Sequence, residues 1–125
     1  MLPGLDDATQ LTGLNSPDAI VDFYLGLGAR VVALTLGHEG SLVATPSSRQ
    51  RFVPIKVDAI DATGAGDCYD GAFLAEYIRT GDAFAAGAYA NAAAALSTQG
   101  YGAVAPLPRR VDVEARIAQE VAGRA

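Results

Sequence analysis

The chain has 125 residues, of which 50% are hydrophobic and 18% charged, with a formal net charge of −5. That length suits one compact domain with its own core, and the composition lies far from that of chains that stay disordered. The acidic balance excludes a partner held through a phosphate backbone, so no nucleic acid is expected, and the single cysteine, Cys68, excludes an internal disulfide and fits a reducing compartment.

The stretch after Met1 lacks the basic segment and apolar run of a secretory signal. The Ala-rich run over residues 83–96 is broken by Gly87 and Asn91 and is too short for a membrane span. These features point to a cytoplasmic protein with no membrane partner.

Leu2-Pro3-Gly4 makes neither a helix nor a full strand. A short helix is expected over residues 6–11. Ser16-Pro17-Asp18 then supplies an N-cap, a proline at the first helical position and an early acidic charge. Ile20, Val21, Tyr24, Leu25 and Leu27 form its apolar stripe, and Gly28 closes it. Residues 30–36 are rich in β-branched side chains and read as a strand buried on both faces.

Two shorter strands, residues 41–45 and 51–57, follow with Pro46 between them, and suggest antiparallel hairpins at a sheet edge. Residues 65–80 read as a helix with Cys68, Ala72, Ala75 and Ile78 on one side and Tyr69, Phe73 and Tyr77 on another. Gly81 ends it, Asp82 caps a helix reaching about Ser97, and Gly100-Tyr101-Gly102 breaks the chain again. A last helix spans residues 112–121 with Val113, Ile117 and Val121 inward.

The run Asp61-Ala62-Thr63-Gly64-Ala65-Gly66-Asp67 opens the 65–80 helix. Gly64, Ala65 and Gly66 leave backbone amides unobstructed, and the orphan amides of a helix N-terminus add positive potential, so an anion hole is expected there. Asp67 beside it has the charge to take a proton from a hydroxyl next to a transferring phosphoryl group. The same residues also suit a plain loop-to-helix connection with Asp67 as its capping carboxylate.

Residues 61–74, Asp61-Ala62-Thr63-Gly64-Ala65-Gly66-Asp67-Cys68-Tyr69-Asp70-Gly71-Ala72-Phe73-Leu74, resemble the second signature of the ribokinase or PfkB-type carbohydrate kinases, with Ala62 a departure from it. Thr35-Leu36-Gly37-His38-Glu39-Gly40 resembles the family's strand-end turn, and the resemblance implies that Thr35, Gly37 and Gly40 lie along the nucleotide phosphates; a simple hairpin with an exposed His38 is the alternative. Residues 91–103 resemble the helix and loop that wall the adenine, with Asn91 as a polar contact.

By the same resemblance Asp67 is the catalytic base, Gly64, Ala65 and Gly66 form the anion hole, and Gly66 also contacts the nucleotide. ATP and Mg²⁺ are the implied cofactors, the metal being held mainly by phosphates and water. A monovalent cation such as K⁺ would take oxygens from Asp61, Thr63, Ser97, Gly100 and Gly102. The family's Asn-x-x-Glu motif falls on Gly4-Leu5-Asp6-Asp7, where Asp7 can stand for the acid but Gly4 cannot replace the amide. Cys68 is read as packing, and Asp70 as solvated or, alternatively, facing the site one turn along from Asp67.

The fold implied is α/β, a partial ribokinase-like fold with a mainly parallel sheet, an antiparallel edge hairpin and helices on both faces. Residues 1–125 would form one C-terminal nucleotide-binding portion, with the N-terminal half and its β-sheet lid missing, and the full-length form would be a homo-oligomer. Leu11-Thr12-Gly13-Leu14, residues 66–73 and residues 100–106 look most like 2-keto-3-deoxygluconate kinases. The implied reaction is ATP-dependent phosphorylation of a sugar or sugar-acid hydroxyl, with ribose, fructose or a related sugar as alternative substrates. A nucleotide-binding fragment without catalysis, or a remnant, is the alternative role, and the isolated chain is expected to have little activity.

Overall fold

The computed structural model describes residues 1–57, 64–99 and 108–124. They form two compact units, Met1–Val53 and Pro54–Ala125.

In the first unit, helix α1 (Leu5–Thr12) and helix α2 (Pro17–Gly26) precede strand β1 (Val32–Thr35). Ser16 caps α2 by accepting a hydrogen bond from the Ala19 amide, with Pro17 at the first helical position. β1 is followed by a 3₁₀ turn (Gly37–Glu39), then strands β2 (Ser41–Ala44) and β3 (Arg49–Phe52), in sheet order β1-β2-β3. Both pairings are antiparallel, with Thr35 opposite Ser41 and Ser41 opposite Phe52. A five-residue return over residues 36–40 leaves no room for the crossover that a parallel partner requires.

Parallel pairing occurs where the sequence offered no regular element. Residues 1–3 run alongside β1: the Ala33 amide donates to the Met1 carbonyl at 2.9 Å, the Thr35 amide to that of Pro3 at 3.0 Å, and a parallel bridge joins Gly4 to Thr35. Of the mainly parallel sheet expected, this stretch is the part found among the described residues. The core gathers Ala8, Ile20, Val21 and Tyr24 from the helices against Val32, Leu34, Leu42 and Ala44. Ala33 and Val43, paired on the opposite face, are also fully buried, so β1 is closed on both faces as its dense apolar run implies.

Three details differ from expectation. β3 starts at Arg49 rather than residue 51 and ends at Phe52, and its exposed Arg49, Gln50 and Arg51 are the charged, short edge that discourages further pairing. Arg49 is tied to Asp18 at 2.8 Å and Asp22 at 2.6 Å on α2. Leu27, expected in the α2 stripe, is exposed because the helix has already ended at Gly26.

In the second unit, α3 (Ala65–Thr80) and α4 (Ala83–Ser97) are joined by Gly81 and Asp82 alone. Gly81 takes the left-handed conformation, φ +68°, and the Asp82 carboxylate accepts from the Phe84 and Ala85 amides at 2.9 and 3.2 Å. Helix α5 (Arg110–Arg124) begins two residues before the expected start. Its Val113 is buried with Ala92 and Ala93 of α4, and Ile55, Cys68, Ala72, Leu96 and Ile117 pack around them.

The inward line of α3 is Tyr69, Phe73 and Glu76. A 3.6-residue period puts Ile78 on the far side of that line, so Ile78 and Ala75 are exposed, contrary to the expected stripe. Val121 is likewise exposed rather than inward, since Glu120 falls closer to the line of Val113 and Ile117. Among the described residues no helix is long and apolar enough to cross a membrane.

Candidate active site

The N-terminus of α3 is bare. Its cap is Gly64, at φ +78° in the left-handed region that favours glycine, and Gly64 has no side chain with which to satisfy the amides that follow. The first backbone bond of the helix runs from the Cys68 amide to the Gly64 carbonyl at 2.9 Å. The amides of Ala65, Gly66 and Asp67 therefore precede the intrahelical ladder, and among the described residues they have no partner. Gly66 is exposed, and a Cβ added there would meet no described residue within 4 Å.

Asp67 is exposed in this first turn, and its carboxylate makes no hydrogen bond or ion pair among the described residues. It is therefore not a capping carboxylate. A bare, positively polarised helix end with a solvent-facing carboxylate one residue past Gly66 can hold an anion and accept a proton beside it.

The neighbours of Asp67 divide cleanly. Burial pushes the Cys68 thiol above its ordinary range, with a hydrogen bond to the Ser97 side chain opposing it, and Cys68 packs on the α4–α5 cluster. It serves packing, as expected, and the helix N-terminus does not make it a thiolate. Asp70, expected to be solvated, is half-buried; burial raises its carboxyl first and the Asp67 charge adds to the rise.

The contact between Cys68 and Ser97 also fixes the direction of the helix pair. It puts the C-terminal end of α4 beside the N-terminal end of α3, so two stretches assigned from sequence, residues 64–67 and Ser97, come together. Ser97 is buried, and its hydroxyl donates to the Ala94 carbonyl at 2.7 Å. Of the other oxygen donors expected for a monovalent cation, Asp61, Thr63, Gly100 and Gly102 lie outside the described residues. Asn91 is half-buried on α4 between the fully buried Ala90 and Ala92.

The first unit carries a concavity of about 600 Å³, lined by residues 4–7 and 35–39. It brings together two stretches that the sequence offered separately, the Gly4 to Asp7 start of α1 and the turn that follows Thr35. Gly37 and Gly40 have φ +63° and +94°, so the turn depends on glycine at both places. Gly37 lines the cavity and Gly40 does not. His38 is exposed, as the hairpin alternative expected. Asp6 and Asp7 are exposed in the first turn of α1, where Gly4 offers no side-chain cap.

One charged residue went unnoticed in the sequence. Glu76 is buried on the inward line of α3, where its oxygens accept from Arg79 and Arg110, each at 2.5 Å. The Arg79 hydrogen bond, outweighing burial and aided by Arg110, holds its carboxyl below the usual carboxylate range. A carboxylate seven residues after Tyr69 in an otherwise apolar line is the signal that could have revealed it.

Residues 1–110 match the family model of the pfkB family carbohydrate kinases. The chain belongs to that family. It is 33% identical over 114 residues to a ribokinase of Staphylococcus aureus, covering 86% of this chain and 38% of the relative. It is 34% identical over 118 residues to a 2-dehydro-3-deoxygluconokinase of Bacillus subtilis, covering 86% of this chain and 34% of the relative.

Among solved structures, a double mutant of the Vibrio cholerae fructokinase, bound to fructose, ADP and potassium ion, superposes with a TM-score of 0.83 at 31% identity. That match covers 93% of this chain and 39% of the other. The pfkB-family chain thus spans well under half the length of the relatives it matches, and the α/β ribokinase-like fold class is established for the part it contains.

Proposed function

We propose that the chain is the nucleotide-side portion of an ATP-dependent carbohydrate kinase whose catalytic base is Asp67. The observation that carries this reading is the N-terminus of α3, where, among the described residues, three amides have no partner and an exposed carboxylate beside them is unpaired. ATP supplies the phosphoryl group. The amides of Ala65, Gly66 and Asp67 hold its oxygens and offset the charge that builds up in the transition state. The Asp67 carboxylate accepts the hydroxyl proton as the new oxygen–phosphorus bond forms and the bond to ADP breaks. In the first unit, Thr35, Gly37 and Gly40 shape the turn assigned to the phosphates, and Asp7 faces the same cavity as a candidate for the water shell of Mg²⁺. Asn91 is the candidate adenine contact. A K⁺ ion is consistent with the potassium-bound fructokinase relative.

The substrate proposed is 2-keto-3-deoxygluconate, supported by the likeness to the Bacillus subtilis kinase for that sugar acid. A ribose or fructose substrate is the second reading, favoured by the equally similar ribokinase and by the fructose-bound structure. The test is titration of Mg-ATP into the chain, with a coupled assay of ADP release, for each of the three sugars, in the kinase that contains it. The reading expects nucleotide binding in wild type and in Asp67→Asn, with sugar-dependent release lost only in the variant. Binding with no sugar-dependent release marks a nucleotide-binding module; no binding at all contradicts the proposal.

A further inference from the structure

The inward face of α4 consists of Ala83, Ala86, Gly87, Ala90, Ala92, Ala93 and Ser97. Faces built from alanine and glycine bring helices close but offer few ridges, so they set the register of a neighbouring helix poorly. Besides the Cys68–Ser97 hydrogen bond near the site, the described residues of the second unit hold a charged connection that could set it. Glu76 of α3 accepts from Arg79 of its own helix and from Arg110, the first residue of α5. Arg110 donates in turn to Glu114 at 3.1 Å, and its guanidinium carbon lies 4.6 Å from the centre of the Tyr89 ring on α4. One carboxylate thus links α3 to α5 over an aromatic ring of α4, in bonds whose planar geometry resists sliding and rotation.

Both ends of the candidate site stand on this frame. Asp67 is nine residues before Glu76, roughly 13 Å along α3, and Asn91 is two residues after Tyr89. We propose that Glu76, acting through Arg110, is a positioning residue that fixes the register of α3 against α4 and so sets the spacing between the Asp67 end of α3 and Asn91 that a nucleotide requires. The inference rests on the nucleotide reading given above. Glu76 itself touches no substrate in this scheme.

The test uses the 125-residue chain, with Glu76→Gln and Arg110→Gln made singly and together. Mg-ADP affinity is measured by calorimetry at a temperature where circular dichroism shows every variant folded. Each single variant should lose affinity by about 3- to 10-fold, and the double variant should lose no more than the weaker single. Glu76→Asp, which keeps the charge, should recover affinity to within about twofold of wild type. A folded Glu76→Gln chain that binds as wild type does overturns the positioning role and leaves the nucleotide reading standing, as does a double variant whose loss equals the product of the two singles. A wild-type chain that binds no nucleotide removes both.

Discussion

The turn at residues 36–40 and the start of α3 are both built on glycine, for different physical reasons. In the turn the backbone consumes its own groups: the Leu36 amide donates to the Gly40 carbonyl at 2.8 Å and the Glu39 amide to that of Leu36 at 3.2 Å. Glycine serves shape there, because Gly37 and Gly40 have conformations that other residues enter only under strain. At α3, Gly64 serves shape, whereas Gly66 is helical and exposed, with nothing among the described residues within 4 Å of an added Cβ, and the proposed role for it is access. A family motif read from letters alone treats these glycines alike, whereas their substitution should separate them.

The largest effect expected is on turnover. Asp67→Asn should lower sugar-dependent ADP release by about 10²- to 10⁴-fold in a steady-state assay of the kinase containing this chain, with Mg-ATP affinity retained. Next comes shape. Gly40, at φ +94° and ψ −135°, lies in a region essentially closed to side chains, so Gly40→Ala should cost about 1–3 kcal/mol in urea unfolding.

Removing Glu76 should be comparable, about 1–3 kcal/mol for Glu76→Ala, because its charge-assisted hydrogen bonds to Arg79 and Arg110 are lost. Glu76 has its carboxyl lowered in the fold, so its stabilisation is present above the unfolded value of 4.5 and disappears as pH falls through the folded one. Glu76→Gln should therefore flatten the acid limb of the stability curve below pH 4.5. Asp70 runs the other way: its raised carboxyl costs stability as pH rises above 3.8, and Asp70→Asn should gain up to about 0.5 kcal/mol at neutral pH.

A small effect in stability is the sharpest discriminator. Gly66→Ala should stabilise α3 by about 0.5–1 kcal/mol in thermal unfolding, since alanine suits a helix better than glycine. It should at the same time weaken nucleotide binding, because the new methyl group stands among the bare amides. A glycine needed for shape would lose both together.

Much of this was legible in the residues. The bounds of α3 followed from Gly64 before it and Gly81 after it, and those of α4 from the Asp82 cap, because caps and breakers act within a few residues. The candidate site at Asp67 could be proposed for the same reason: its amides and carboxylate are neighbours in the chain. Pairing was less accessible. That residues 1–3 lie parallel to β1 depends on contacts some thirty residues away, and no local pattern in Leu2-Pro3-Gly4 encodes them. Glu76 was missed because its arginine partners come from i+3 and from the start of α5, so its burial depends on tertiary contact. Ile78 and Val121 were misassigned because short apolar lists satisfy several helical faces at once, and packing selects one.

The claim on which the account depends is that the first amides of α3 gather phosphoryl oxygens next to Asp67. Backbone ¹⁵N–¹H spectra of the chain, titrated with Mg-ATP, test it directly. The account predicts that Ala65, Gly66 and Asp67 show the largest amide shifts, moving together along one binding curve. If those three peaks stay fixed while other amides respond to the nucleotide, the claim is wrong.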